Sequence, residues 1–105
     1  MNFVELQEIM DRTYGRQDRA RGVAATIAWL TEELGELAQA VRKCSQAEQL
    51  HEFGDVLAWL ASLANQLDLS LDAAVSRYSL GCPKCGAVPC ACGLVRQPPP
   101  GSSSS

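Results

Sequence analysis

The sequence carries no excess of basic residues: nine Lys and Arg stand against twelve Asp and Glu, for a net charge of −3. A broad electrostatic grip on nucleic acid needs a basic surface, so no nucleic-acid polymer is expected as a partner; a single nucleotide held by a local patch is still compatible. No apolar run approaches the roughly 20 residues of a membrane span, and no membrane partner is expected. The opening residues, MNFVELQEIMDR, carry acids early and lack the charged-then-apolar layout of a secretion signal, which predicts a cytoplasmic location. Sustained apolar–polar alternation is missing too, and with it the pattern of strands. What is present, 105 residues at 47% apolar and 20% charged with both signs, is an ordinary soluble globular composition for one domain.

Helical periodicity fills the gap. Asn2 is an N-cap residue and Gly15 a stop, which predicts a first helix from about Phe3 to Tyr14, with Phe3, Leu6, Ile9 and Met10 as its apolar stripe. The segment GRQDRARG, from Gly15 to Gly22, reads as a connector whose arginines (Arg16, Arg19 and Arg21), with Arg12, either face solvent or close over phosphates. A second helix is expected from about Val23 to Lys43, with Val23, Ile27, Leu30, Leu34, Leu37 and Val41 recurring at three- and four-residue intervals. A third is expected from Ala47 to Leu67, with Phe53, Val56, Leu60, Leu63 and Leu67 on one face. Ser70 caps a short fourth helix, Leu71 to Tyr78. After Ser79 the chain turns to Cys, Gly and Pro, and the segment 94–105 (LVRQPPPGSSSS) reads as disordered. The expected organisation is a helical domain over 1–79, a cysteine segment over 80–93 and a tail. A helical unit of roughly 80 residues has a thin core, for which oligomerisation is a common remedy.

Two stretches share one pattern. Glu33-Leu-Gly-Glu-Leu37 and Glu52-Phe-Gly-Asp-Val56 both run acid, large apolar, glycine, acid, large apolar. Acids three apart lie about 60° apart on a helix, so Glu33 and Glu36 share a face, as do Glu52 and Asp55. In each helix the first acid borders the apolar stripe. The short connector makes the two helices an antiparallel hairpin, which can bring all four carboxylates together. Like charges beside an apolar seam repel and lose hydration, so a compensating cation is expected. An all-carboxylate set selects a hard divalent ion, Mg²⁺ or Mn²⁺, over zinc. The bland reading is a pair of solvated helix faces. Against it, Gly35 and Gly54 each cost about 1 kcal/mol in a helix interior, which a close helix contact would explain.

These residues resemble the signature of the MazG-like nucleotide pyrophosphohydrolases of the all-α nucleoside triphosphate pyrophosphohydrolase superfamily. That pattern is E-x-x-E, a spacer, then E-x-x-D; here it is Glu33-x-x-Glu36, fifteen residues from Leu37 to His51, and Glu52-x-x-Asp55. The wording around it, EELGELAQAV and EFGDVLAWLASLANQLDLSLDAAV, extends the resemblance from Phe3 to about Tyr78. The resemblance implies an all-α bundle completed as a homodimer or a dimer of dimers. It also implies cleavage of a nucleoside triphosphate between the α and β phosphates, for cleansing of the nucleotide pool. Glu33, Glu36, Glu52 and Asp55 take the Mg²⁺-ligand positions, with Glu32 or Glu33 as general base. Arg77 falls where the family carries a basic residue in its last helix, but the ending that follows, SLGCPKCG, departs from the family. Lys43 is either a helix-end cation or a phosphate contact. Trp29 and Trp59 either pack in a core or interface or stack on a nucleobase; Asn65 either faces solvent or reads the base edge. His51 points away from the apolar stripe and is expected to be exposed, and Cys44 a small residue near a helix end. Two other readings compete: a non-catalytic helical adaptor that binds a partner through its cysteine tail, and a pyrophosphohydrolase of a phosphoribosyl-nucleotide intermediate.

Four of the five cysteines, Cys82, Cys85, Cys90 and Cys92, form C-x₂-C-x₄-C-x-C. Without a secretion signal, metal binding is a better expectation than disulfides. A complete Cys₄ set with a CPKCG turn suits structural Zn²⁺. The short loop between the pairs leaves open a missing ligand, an intermolecular site, a redox dithiol or an iron–sulfur cluster.

Overall fold

Asn2 starts the first helix through a reciprocal capping box. Its side chain accepts from the Glu5 N–H at 2.8 Å, and the Glu5 carboxylate accepts from the Asn2 N–H at 2.9 Å. In the computed structural model, which describes residues 1–43 and 45–93, this helix, α1, runs Phe3–Arg21. Cys44 and the tail 94–105 lie outside the described residues.

α1 passes straight through the expected stop at Gly15. That glycine is helical and buried beneath an Asp11–Arg19 ion pair of 2.8 Å; a Cβ there would lie 2.5 Å from Asp11 Oδ1 and 2.8 Å from Arg19 Nη1. Its missing side chain makes room for a bridge across the helix and does not end it. The terminator is Gly22, whose φ of 91° is a conformation that L side chains rarely adopt. The expected arginine-rich connector is therefore the last turns of α1. Arg21 is paired with the buried Asp18 at 2.6 Å and donates to Thr26 Oγ1 at 2.9 Å.

α2 occupies Val23–Lys43 and α3 Gln46–Gln66, with Ser45 as the α3 N-cap. α4 is a single turn, Leu71–Val75, continued by a 3₁₀ turn over Ser76–Tyr78. Among the described residues there is no strand. The chain divides into two compact units, Met1–Leu71 and a second beginning at Asp72.

In the first unit, α3 packs against both α1 and α2. Gln7 fastens α1 to the end of α3: its amide donates to Asn65 Oδ1 at 3.0 Å and to the Leu69 carbonyl at 2.9 Å, and its Oε1 accepts from the Leu71 N–H at 2.8 Å. Asn65 returns a bond to the Gln7 carbonyl at 2.9 Å, and Gln66 donates to the Asp18 carbonyl at 2.7 Å.

The buried apolar residues are small: Ala40, Val56, Ala61 and Ala64. The expected stripes are only partly covered. On α2, Leu30 and Leu37 are half-buried, whereas Ile27, Leu34 and Val41, at seven-residue intervals, form an exposed row. On α3, Phe53 is 51% and Leu50 68% exposed, beside the exposed Leu57. Each stripe is wider than one neighbouring helix can cover. Gly35 and Gly54 make no close helix contact, since a Cβ at either would meet nothing within 4 Å.

Candidate metal centre and its surroundings

The hairpin places Glu33 and Glu36 of α2 against Glu52 of α3, one oxygen from each lying within 4.8 Å of the others. His51, Glu52 and Asp55 form a second such group under the same limit, so Glu52 belongs to both. All four signature acids thus converge along one seam, although successive helical residues point in different directions. Three-residue spacing keeps each pair on one face, and the antiparallel return opposes the faces.

Their electrostatics are those of carboxylates that repel one another. Burial raises the Glu33 pKa above the usual carboxylate range, reinforced by the charges of Glu36 and Asp55. Glu52 is raised for the same reasons in the same order, with His51 acting in the opposite direction. One oxygen of each, Glu33 Oε2 and Glu52 Oε2, is buried with no hydrogen-bond partner. Buried carboxylate oxygens normally find a donor, and these two have none within the chain. The donor set fits a hard divalent ion: oxygen only, several carboxylates, one seam.

His51 is exposed, as expected, and it neighbours the acids. Its Nε2 lies 3.3 Å from Asp55 Oδ2, one helical turn on. The i,i+4 spacing of His51 and Asp55 is the sequence signal for this contact.

Two hollows flank the acids. One, of about 330 Å³, is lined by Glu36, Glu52 and Lys43, together with Gln39, Ala40 and Glu48. Lys43 is thus placed beside the carboxylates. The other, of about 430 Å³, runs from Asp55 to Trp59, Arg21, Asp18, Tyr14 and Met10. Trp59 stacks on Trp29 with ring centroids 6.2 Å apart and planes 10° from parallel, and the Arg21 guanidinium lies 4.9 Å from the Trp59 ring centre. This aromatic shelf combines the two tryptophans with Arg21, which is the last residue of α1 and not part of a loop. Asn65 is not brought to the acids; its amide is engaged in the α1–α3 seam. Glu32 is exposed, one residue before Glu33. Arg77 belongs to the second unit, its guanidinium 5.9 Å from the Tyr78 ring centre.

In that second unit, one sulfur from each of Cys82, Cys85, Cys90 and Cys92 lies within 4.8 Å of the rest, a set able to hold a metal ion. The Cys85 thiol is drawn down to about 6 by the backbone N–H groups of Ala91 and Ala87, while its neighbouring thiols, Cys90 first, push Cys92 up to about 12.

The chain is thus an all-α hairpin that pools the carboxylates of an E-x-x-E and an E-x-x-D pair. The family comparison agrees: the model of the MazG nucleotide pyrophosphohydrolase domain matches residues 21–79. The chain belongs to that family, whose common activity is nucleotide pyrophosphate hydrolysis, typically dependent on a divalent metal. It is also similar to a Bacillus subtilis (strain 168) protein described as uncharacterized protein YpjD. The two are 38% identical over 84 residues, covering 70% of this chain and 76% of that protein.

Proposed function

We propose that this chain hydrolyses a nucleoside triphosphate to a monophosphate and pyrophosphate, using Mg²⁺ or Mn²⁺ held by Glu33, Glu36, Glu52 and Asp55. The observation that supports it best is the pair of buried, partnerless oxygens on Glu33 and Glu52, within a group of carboxylates that repel one another. When bound, the cation supplies neutralisation of phosphate charge and favours ionisation of the attacking water.

The chain's own groups supply the rest. Hydrolysis consumes one water: its oxygen joins phosphorus, the α–β anhydride bond breaks, and the water's proton passes to a carboxylate. Glu33 and the neighbouring Glu32 are the two candidates. Lys43, sharing a hollow with Glu36 and Glu52, meets phosphate oxygens. The Trp29–Trp59 shelf stacks on the base, with Arg21 fixing the Trp59 ring. The exposed rows on α2 and α3 seat a second copy, giving a homodimer or a dimer of dimers. No helix among the described residues is long and apolar enough to cross a membrane, and a cytoplasmic role in cleansing the nucleotide pool fits this reading.

The test is a panel of nucleotides with Mg²⁺ and direct product identification. Monophosphate plus pyrophosphate is the expected outcome; orthophosphate as the first product would refute the assigned reaction. Glu36→Gln and Asp55→Asn should abolish turnover with helicity intact.

A further inference from the structure

The second unit lacks what normally holds a fold together. From Asp72 to Gly93 none of its residues is buried. Between Leu80 and Gly93 the least exposed positions are Gly81, Cys82, Pro83, Ala87 and Cys92, which gather around the thiols. A segment with so little apolar burial needs a staple of another kind.

The sulfur geometry says which. The sulfurs of Cys82 and Cys92 are 3.9 Å apart, and so are those of Cys85 and Cys90. A disulfide holds its sulfurs at about 2.0 Å, far closer. A tetrahedral Zn²⁺ with Zn–S bonds of about 2.3 Å has S···S edges of about 3.8 Å. Both close contacts match such an edge, and each joins one cysteine pair to the other. We propose that Cys82, Cys85, Cys90 and Cys92 of a single chain form a closed Zn²⁺ site that holds this unit in place of an apolar core.

The surrounding backbone is arranged for thiolate ligands. The Ala91 N–H donates to Cys85 Sγ at 3.3 Å and the Cys92 N–H to Cys90 Sγ at 3.3 Å, bonds that stabilise sulfur charge and orient the lone pairs. The knuckle is closed by the Cys82 N–H to the Ala87 carbonyl at 3.1 Å and the Gly86 N–H to the Cys82 carbonyl at 2.6 Å, with Gly86 at φ 74°. Gly81 is fixed by crowding, since a Cβ there would fall 2.8 Å from the Ala87 carbonyl oxygen. Four thiolates around Zn²⁺ carry a net negative charge, and Lys84 sits within the turn between the first two. All four positions of the tetrahedron are filled by protein, so the site is structural, with no position open for substrate. Sulfur-only and oxygen-only donor sets also sort the metals: zinc to the cysteines, the hard cation to the glutamates.

The 105-residue chain, purified under reducing conditions without chelator, should contain about one zinc per chain by elemental analysis. Replacing zinc with Co²⁺ should give the intense visible bands of a tetrahedral site with thiolate-to-metal charge transfer in the near ultraviolet. The double variant Cys85→Ser/Cys92→Ser should lose the metal and show fast amide exchange over 80–93, with protection of α1 to α3 unchanged. Reduced protein that takes up no zinc would overturn the proposal, as would bound iron with sulfide. Zinc at half an equivalent, shared between chains, would overturn the single-chain cage. None of these readouts depends on nucleotide turnover, so the zinc site and the hydrolase reading fail separately.

Discussion

Glu33 on α2 and Glu52 on α3 approach each other within 4.8 Å, and each buries one carboxylate oxygen that accepts no hydrogen bond. Their charges repel in the metal-free protein, so neutralising either should relieve strain and remove a ligand together. Glu33→Gln and Glu52→Gln are expected to raise the melting temperature without divalent metal, to abolish the Mg²⁺-dependent gain, and to lower turnover by roughly two orders of magnitude or more. Thermal melts with and without Mg²⁺, beside product assays, check all three. A lower metal-free melting temperature would show that the cluster is already satisfied within the chain.

The same pair fixes a pH dependence. Both carboxyls have folded-state pKa values raised above their unfolded values, so the folded state binds more protons between the two. Without metal, stability should fall as pH rises through the upper carboxylate range and level off once both are ionised. It should be regained as pH is lowered through that window. Mg²⁺ needs the ionised forms, so its stabilising increment should grow over the same interval. Melting curves across a mildly acidic to neutral series measure both slopes, and parallel curves would rule out the linkage.

Trp59 contacts Trp29 through its ring and Arg21 through its face. Trp59→Ala should lower stability by about 1 to 2 kcal/mol through loss of stacking and cation–π contact. It should raise KM for nucleotide more than it lowers kcat, with Trp59→Phe restoring most of both. An unchanged KM in Trp59→Ala would remove the shelf from the substrate site.

The exposed apolar rows predict assembly. Sedimentation of the native chain should show a dimer or larger species, and Phe53→Asp or Leu34→Asp should shift it toward monomer. A native chain that sediments as monomer at micromolar concentration would leave these rows without the proposed cover.

The glycines separate by environment. Gly35→Ala, in open space within the chain, should gain about 0.5 to 1 kcal/mol of helix stability. Gly15→Ala gains a similar propensity but displaces an exposed ion pair worth about 0.2 to 1 kcal/mol, so its net effect should be near zero. Gly22→Ala, at φ 91°, should be destabilising by about 1 kcal/mol or more. Denaturant titration of the three variants gives the order directly.

Helical periodicity placed α2 at its observed bounds and α3 within one residue of them, because spacing along a helix is a local property. The pairing of acids three apart, and the grouping of four cysteines within eleven residues, were equally local and equally legible. The reading of Gly15 as a stop failed because its outcome depended on Asp11 and Arg19, residues four away on either side whose bridge fills the space of a side chain. The role of Arg21 could not be read either, since its partner Trp59 lies on another helix, 38 positions along the chain. Composition and spacing determined which residues share a face. Only the packing of α3 between its neighbours decided which of those faces are covered, which carboxylate oxygens lose their water, and which apolar rows stay exposed, because burial is a property of what lies opposite.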